Sequence, residues 1–268
     1  MKRELIALVL APIVVAIIIW APAWIFLLLL AAVVTIAADE FIKMARKSGV
    51  PCGRSLTLAS VAGLMVAGWL WGLSGLAVVA IAVILLFPTV QLHHAEAPIG
   101  SLAGVAVGSF VALYLGLTGA CFGWLRLWPN EALAVPLLLL FLGTIWIGDS
   151  GAYYVGSRLG RHKMSPKISP NKTWEGLAGG TIASFAAAAI LKVVLSVPLA
   201  WIHVIGIAAI LAAAGPLGDL IESQFKRDTG VKDSSSLLPG HGGLLDRTDS
   251  LVYAAPPVLG YLALVGAL

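Results

Sequence analysis

Residues 215–250 read GPLGDLIESQFKRDTGVKDSSSLLPGHGGLLDRTDS, and most of this chain's candidate chemistry lies there. Asp219, Asp246 and Asp249 are hard oxygen donors, and carboxylates brought near one another repel unless a cation lies between them. Such donors suit Mg²⁺, which typically takes one or two carboxylates together with substrate phosphates. Lys226, Arg227, Lys232 and Arg247 are the kinds of group that hold phosphate oxygens. Acids for a metal, ringed by basic residues, are the parts from which phosphoryl- and nucleotidyl-transfer sites are built. Each residue alone has a plainer reading, since helix-end aspartates often only cap. Their concentration in one short stretch favours chemistry.

The elements that must position these groups can be read from spacing. Asp219, Glu222, Ser223 and Lys226 recur every three or four residues, so they share one face at the end of an apolar helix. Glycine, proline and serine make the middle a loop. It ends in Pro239-Gly240-His241-Gly242-Gly243, where glycines let backbone N–H groups approach a ligand closely. Asp246, Arg247 and Asp249 open a last helix, and Asp246 and Asp249, three apart, share a face near its N-terminus.

A second polar stretch runs from Gly148-Asp149-Ser150-Gly151 to Lys167-Ile168-Ser169-Pro170-Asn171-Lys172-Thr173-Trp174-Glu175-Gly176. Lys167, Asn171 and Lys172 form a basic, hydrogen-bonding rim before a helix. Thr173, with Glu175 two residues on, suits a helix start. Asp149, at the inner end of its apolar run, is a further candidate to face the same polar cavity.

Everything else must hold these stretches at a membrane. Hydrophobic residues make up 60% of the 268 positions and charged residues 11%. A soluble domain carries about a quarter charged residues. Apolar runs fall at 5–20, 22–38, 56–73, 75–92, 99–120, 132–156, 175–198, 200–221 and 250–268. The fold class is therefore all-α, a polytopic bundle of about nine transmembrane segments with a cytoplasm-facing polar site. The first two runs are short, and either form a thin hairpin or include a re-entrant segment. No polar linker divides the chain, so 1–268 reads as one membrane domain, with 1–140 mainly scaffold and 141–268 the catalytic half.

Loops 39–54, 157–173 and 222–249 carry most of the positive charge, and Lys/Arg-rich short loops stay in the cytoplasm. Nine crossings with the N-terminus inside put all three on that side. In loop 39–54 the lysines and arginines are read as orientation and attraction to anionic headgroups. His203 and Lys192, near outer span ends, are read as snorkelling. Cys52 and Cys121 are expected to stay unpaired as packing residues.

The motifs resemble a known family. Ser223-Gln224-Phe225-Lys226-Arg227, Lys232-Asp233 and His241-Gly242-Gly243-Leu244-Leu245-Asp246-Arg247-Thr248-Asp249 together resemble the signature of the phosphatidate cytidylyltransferases (CDP-diacylglycerol synthases). The stretches from Gly148 and Lys167 are similar to that family's other shared region. The resemblance implies that a phosphatidic acid phosphate oxygen attacks the α-phosphorus of CTP and releases pyrophosphate. It also implies Mg²⁺ on Asp219, Asp246 and Asp249, with a second cation left open. Lys226, Arg227, Lys232 and Arg247 would then serve the phosphates. Lys167, Asn171, Lys172, Ser223, Asp233, His241, Gly242 and Gly243 would contact nucleotide or substrate. The partners are CTP, phosphatidic acid and the bilayer, with no nucleic acid, and homo-oligomerisation is left open. The expected location is a bacterial inner membrane. Two rivals stand beside this reading: a CTP-dependent polyprenol or phytol kinase, and an ion-coupled transporter using Asp149 and Asp219.

Overall fold

The computed structural model of the chain describes residues 2–94, 100–237 and 242–266. Eight helices dominate it: α1 (Lys2–Trp20), α2 (Ala23–Lys47), α3 (Arg54–His94), α4 (Ser101–Arg126), α5 (Glu131–Leu159), α6 (Trp174–Val194), α7 (Trp201–Asp228) and α8 (Leu245–Leu264). Six of them, α2 to α7, have stretches long and apolar enough to cross a membrane. In α1 the described apolar stretch is the shorter Leu10–Trp20. The apolar runs 56–73 and 75–92 both fall in α3, which breaks at Gly72 (φ 62°, ψ −147°). Only glycine adopts that backbone conformation cheaply.

One feature departs from an all-helical reading. The rim before α6 folds into a small antiparallel hairpin, β1 (Lys163–Ser165) with β2 (Ser169–Thr173), pairing Lys163 with Thr173 and Ser165 with Ser169. Strands of three and five residues leave too little alternation to be read from sequence.

The chain divides into two compact units. The first comprises Met1–Leu8, Trp24–Trp124 and Lys226–Thr248. Within it the two limbs of α3 double back on each other: Leu76 fills the space beside Gly68, and Val79 that beside Gly63. A core of Leu64, Leu76, Val83, Phe87, Ala112 and Ala120 joins α3 to α4. Two indoles stitch the pair, as Trp69 donates to the Ala120 carbonyl at 3.2 Å and Trp124 to that of Gly68 at 2.9 Å. Such bonds hold helices together where apolar burial alone discriminates little between lipid and protein.

The second unit comprises Val9–Ala23, Leu125–Phe225 and Asp249–Leu268. Small residues let α5 and α6 meet backbone to backbone. A methyl group at Gly148 would lie 2.3 Å from Ser184 Oγ, one at Gly151 2.5 Å from Ala183 Cβ, and one at Gly180 2.9 Å from Ala152 Cβ. Close approach through small residues is a common membrane packing device. Lys192, near the end of α6, donates to the carbonyls of Val197 and Leu199 beyond it and lies 5.1 Å from the Trp201 ring centroid. His203 Nδ1 is 3.2 Å from the Tyr261 hydroxyl.

Candidate functional site

In the first unit candidate side chains gather where α7 ends and α8 begins. The end of α7 is shaped locally: Val231 N–H returns to the Lys226 carbonyl at 2.9 Å and Gly230 N–H to that of Arg227 at 3.1 Å. That pattern closes a helix in a Schellman motif. Lys226 Nζ then donates to Asp246 Oδ1 at 2.6 Å, with the two side chains 11% and 5% exposed. Asp246 Oδ2 accepts from Ser234 N–H at 3.0 Å, Ser234 Oγ at 2.9 Å and Gly243 N–H at 2.7 Å. A buried charge survives only when it is paired and hydrogen-bonded in this way.

The glycine turn has a specific reason. Gly242 has φ +82°, and a methyl group on it would lie 2.4 Å from Asp246 Oδ2. One on Gly243 would lie 2.1 Å from Ser234 Oγ. Both glycines are therefore required by the carboxylate they wrap. Arg227, Lys232, Asp233 and Arg247 are exposed around this cluster, while His241 lies outside the described residues.

In the second unit Asp219, on α7, is held by the rim. Lys172 Nζ is 2.8 Å from Asp219 Oδ2 and also donates to the Pro216 carbonyl at 3.3 Å. Ser223 Oγ donates to Asp219 Oδ1 at 3.2 Å, so the predicted one-turn spacing on α7 is realised. The Asp219 side chain remains 43% exposed. Asp249 is buried at 9% exposure, with one oxygen accepting Ser250 N–H at 2.7 Å. Lys167 and Asn171 are exposed on the hairpin. Asp149 is exposed too, and borders a small cavity of about 20 Å³ with Ser184 and Pro216.

Thr173 starts α6 as expected, accepting Gly176 N–H at 3.1 Å. Glu175 acts differently from a local cap. It accepts N–H bonds from Arg161 at 3.1 Å and His162 at 3.2 Å, and meets the His162 ring at 2.6 Å. It thus ties the start of the hairpin to α6.

Asp219 and Asp246 offer the hard carboxylate oxygens that suit Mg²⁺, and each is ion-paired to a lysine ammonium with which a cation would compete. Their openness differs, because Asp246 is enclosed and Asp219 is not. Among the described residues, no three His, Cys, Asp or Glu side chains converge as a ready ligand set.

Sequence reasoning missed Glu40. This α2 residue is 3% exposed, and its carboxylate accepts from Ser235 Oγ at 2.6 Å, Leu245 N–H at 2.8 Å, Ser234 Oγ at 3.0 Å and Leu244 N–H at 3.2 Å. Its partners lie some two hundred positions away, and Glu40 follows the apolar run 22–38 beside other charged residues, so nothing local marked it. The charges of loop 39–54 also have partners: Asp39 binds Lys43 at 2.7 Å and Arg54 at 2.5 Å, and Arg46 donates to the Cys52 carbonyl at 2.7 Å. Cys52 and Cys121 are both unpaired thiols.

The membrane-length apolar helices mark a polytopic membrane protein. The chain belongs to the cytidylyltransferase family, whose family model matches residues 1–265. A relative in Bacillus subtilis (strain 168), a phosphatidate cytidylyltransferase, is 33% identical over 279 residues, covering 98% of each chain. Another of that name, from Staphylococcus saprophyticus, is 43% identical over 135 residues, covering 50% of this chain and 52% of its own. A third, from Haemophilus influenzae, is 45% identical over 126 residues, covering 45% of this chain and 43% of its own. The family match thus extends well beyond the polar stretches that carry the motif resemblance.

Proposed function

We infer that this chain transfers the cytidylyl group of CTP to phosphatidic acid, giving CDP-diacylglycerol and pyrophosphate. The observation that carries this is the match to phosphatidate cytidylyltransferase along 98% of both chains. In the reaction a phosphatidic acid phosphate oxygen bonds to the α-phosphorus of CTP as the bond to the β-phosphate bridging oxygen breaks. The nucleophile is already an anion, so the protein's work is to neutralise charge, align two phosphates and leave the acyl chains in lipid.

Arg227, Lys232 and Arg247, exposed beside Asp246, are placed in this reading on the triphosphate or the lipid phosphate. Lys167 and Asn171, exposed on the hairpin, are placed in this reading on nucleotide or substrate. Lys226 serves by holding Asp246 in place, which its 2.6 Å bond supports. In this reading Asp219, Asp246 and Asp249 remain the candidate donors to Mg²⁺, with Asp149 as a further one, and the ion would supply charge neutralisation between the phosphates. Lys172 and Lys226, paired with these acids, keep the carboxylates oriented.

The site faces the cytoplasm of a bacterial inner membrane, where CTP is available, with nine crossings and the polar loops inside. Support comes from the basic loops and the bacterial relatives. The chain acts as one domain, with 141–268 carrying most of the chemistry. The test is reconstitution: purified protein with CTP, phosphatidic acid and Mg²⁺ should yield CDP-diacylglycerol by mass spectrometry. Folded protein that leaves both substrates unchanged would overturn the assignment.

A further inference from the structure

Glu40 stands outside every motif, yet it is among the most heavily hydrogen-bonded carboxylates described. Its four donors are the hydroxyls of Ser234 and Ser235 and the N–H groups of Leu244 and Leu245. The two N–H groups belong to the start of α8, which begins at Leu245. Helix N-termini present unsatisfied N–H groups and attract negative charge. Glu40 therefore caps α8 from a distant helix.

The same carboxylate reaches Asp246 through one shared atom. Ser234 Oγ lies 3.0 Å from Glu40 Oε2 and 2.9 Å from Asp246 Oδ2. A hydroxyl has one hydrogen, so it serves one carboxylate at a time while backbone N–H groups serve the other. Gly243 is packed against this junction, since a methyl group there would lie 2.3 Å from Glu40 Oε2. The two stretches that flank Asp246, Ser234-Ser235 and Leu244-Leu245, are thus both fastened to Glu40.

We propose that Glu40 is a positioning residue for the reaction: it fixes Ser234-Ser235 and Leu244-Leu245 so that Asp246 presents its carboxylate in one orientation to cation and phosphate. This rests on the reading of Asp246 as a site residue. Partners that orient a metal-binding side chain typically matter by about 10- to 100-fold in affinity or activity. The variants chosen separate positioning from packing. Glu40→Gln keeps the shape, but its amide NH₂ must oppose the N–H of Leu244 or of Leu245 whichever way it turns. Glu40→Asp keeps the charge. Ser235→Ala removes one bond and leaves Glu40 three donors.

The experiment uses the full chain in lipid-containing detergent. It measures Mn²⁺ binding by electron paramagnetic resonance, kcat and KM for CTP, and thermal unfolding, with Asp246→Asn as control. Glu40→Gln should weaken Mn²⁺ binding and lower kcat by about tenfold or more, with kcat falling more than KM rises. Glu40→Asp should recover part of that, and Ser235→Ala should lose about three- to tenfold, the scale of one hydrogen bond. If Glu40→Gln does not fold, Ser235→Ala and Glu40→Asp decide the matter alone. Unchanged Mn²⁺ binding and kcat in these two, with only a lower unfolding temperature, would make Glu40 merely structural. A fully active Asp246→Asn protein would instead overturn the site reading itself.

Discussion

Lys226 Nζ sits 2.6 Å from Asp246 Oδ1, and both side chains are almost wholly enclosed. Removing one member of a buried pair leaves the other charge uncompensated and costs about 3–5 kcal/mol, much more than an exposed pair would. Asp246→Asn should therefore lose activity by orders of magnitude and also unfold at a lower temperature. Lys226→Met should destabilise comparably, and the double variant by less than the sum. Additive losses in thermal unfolding would show that the two charges are not coupled.

The glycine turn gives a sharper steric expectation. Gly242→Ala must accept both φ +82° and a methyl group 2.4 Å from Asp246 Oδ2. Gly230→Ala shares the backbone strain, at φ +71°, but has nothing within 4 Å of the new methyl. Strain alone costs about 1–2 kcal/mol. Both variants should lose stability, while only Gly242→Ala should lose most of its kcat/KM. Equal catalytic losses would remove Asp246 from the explanation.

At the other acid, Lys172 links the hairpin to α7 by its 2.8 Å contact with Asp219. From the proposed role of Asp219 as a metal donor, Lys172→Met should lower kcat/KM by about 10- to 100-fold. Because Asp219 is 43% exposed, stability should hardly change. Steady-state kinetics beside a thermal scan checks this. A large loss of stability with unchanged kinetics would make the contact a structural tether.

Residues fared unequally in the sequence according to how local their partners are. The Asp219–Ser223 contact spans one helical turn, so spacing alone exposed it. Gly242 and Gly243 were legible as a close-approach turn, although what they approach is the protein's own Asp246. Thr173 was legible as a cap because its partner, Gly176, is three residues on. Glu40 was not, since its donors come from the far end of the chain. The pairing of Lys172 with Asp219 was hidden for the same reason, being 47 positions apart in numbering but adjacent only after α6 folds back. The 163–173 hairpin escaped notice because a few polar residues containing two prolines carry no strand periodicity. Charges at 39–54 suggested orientation, whereas Asp39, Lys43 and Arg54 also pair among themselves.

Topology can be tested at exposed positions of both polar segments. Cysteines at Asn171 and Ser236, in a Cys121→Ala background, should react with membrane-impermeant maleimide only from the cytoplasmic side. Native Cys52 is 1% exposed, and burial pushes its thiol above the ordinary range, so it should remain silent. Labelling of either engineered position from outside would contradict the nine-crossing arrangement.

The direct measurement of the central claim follows the phosphorus atoms of CTP. With protein in phosphatidic acid vesicles and Mg²⁺, label on the α-phosphorus should enter the lipid, and label on β or γ should leave as pyrophosphate in equal amount. Chelating the metal should abolish both. Label from the γ-phosphorus in the lipid, with CDP accumulating in solution, would contradict the account and make the chain a lipid kinase.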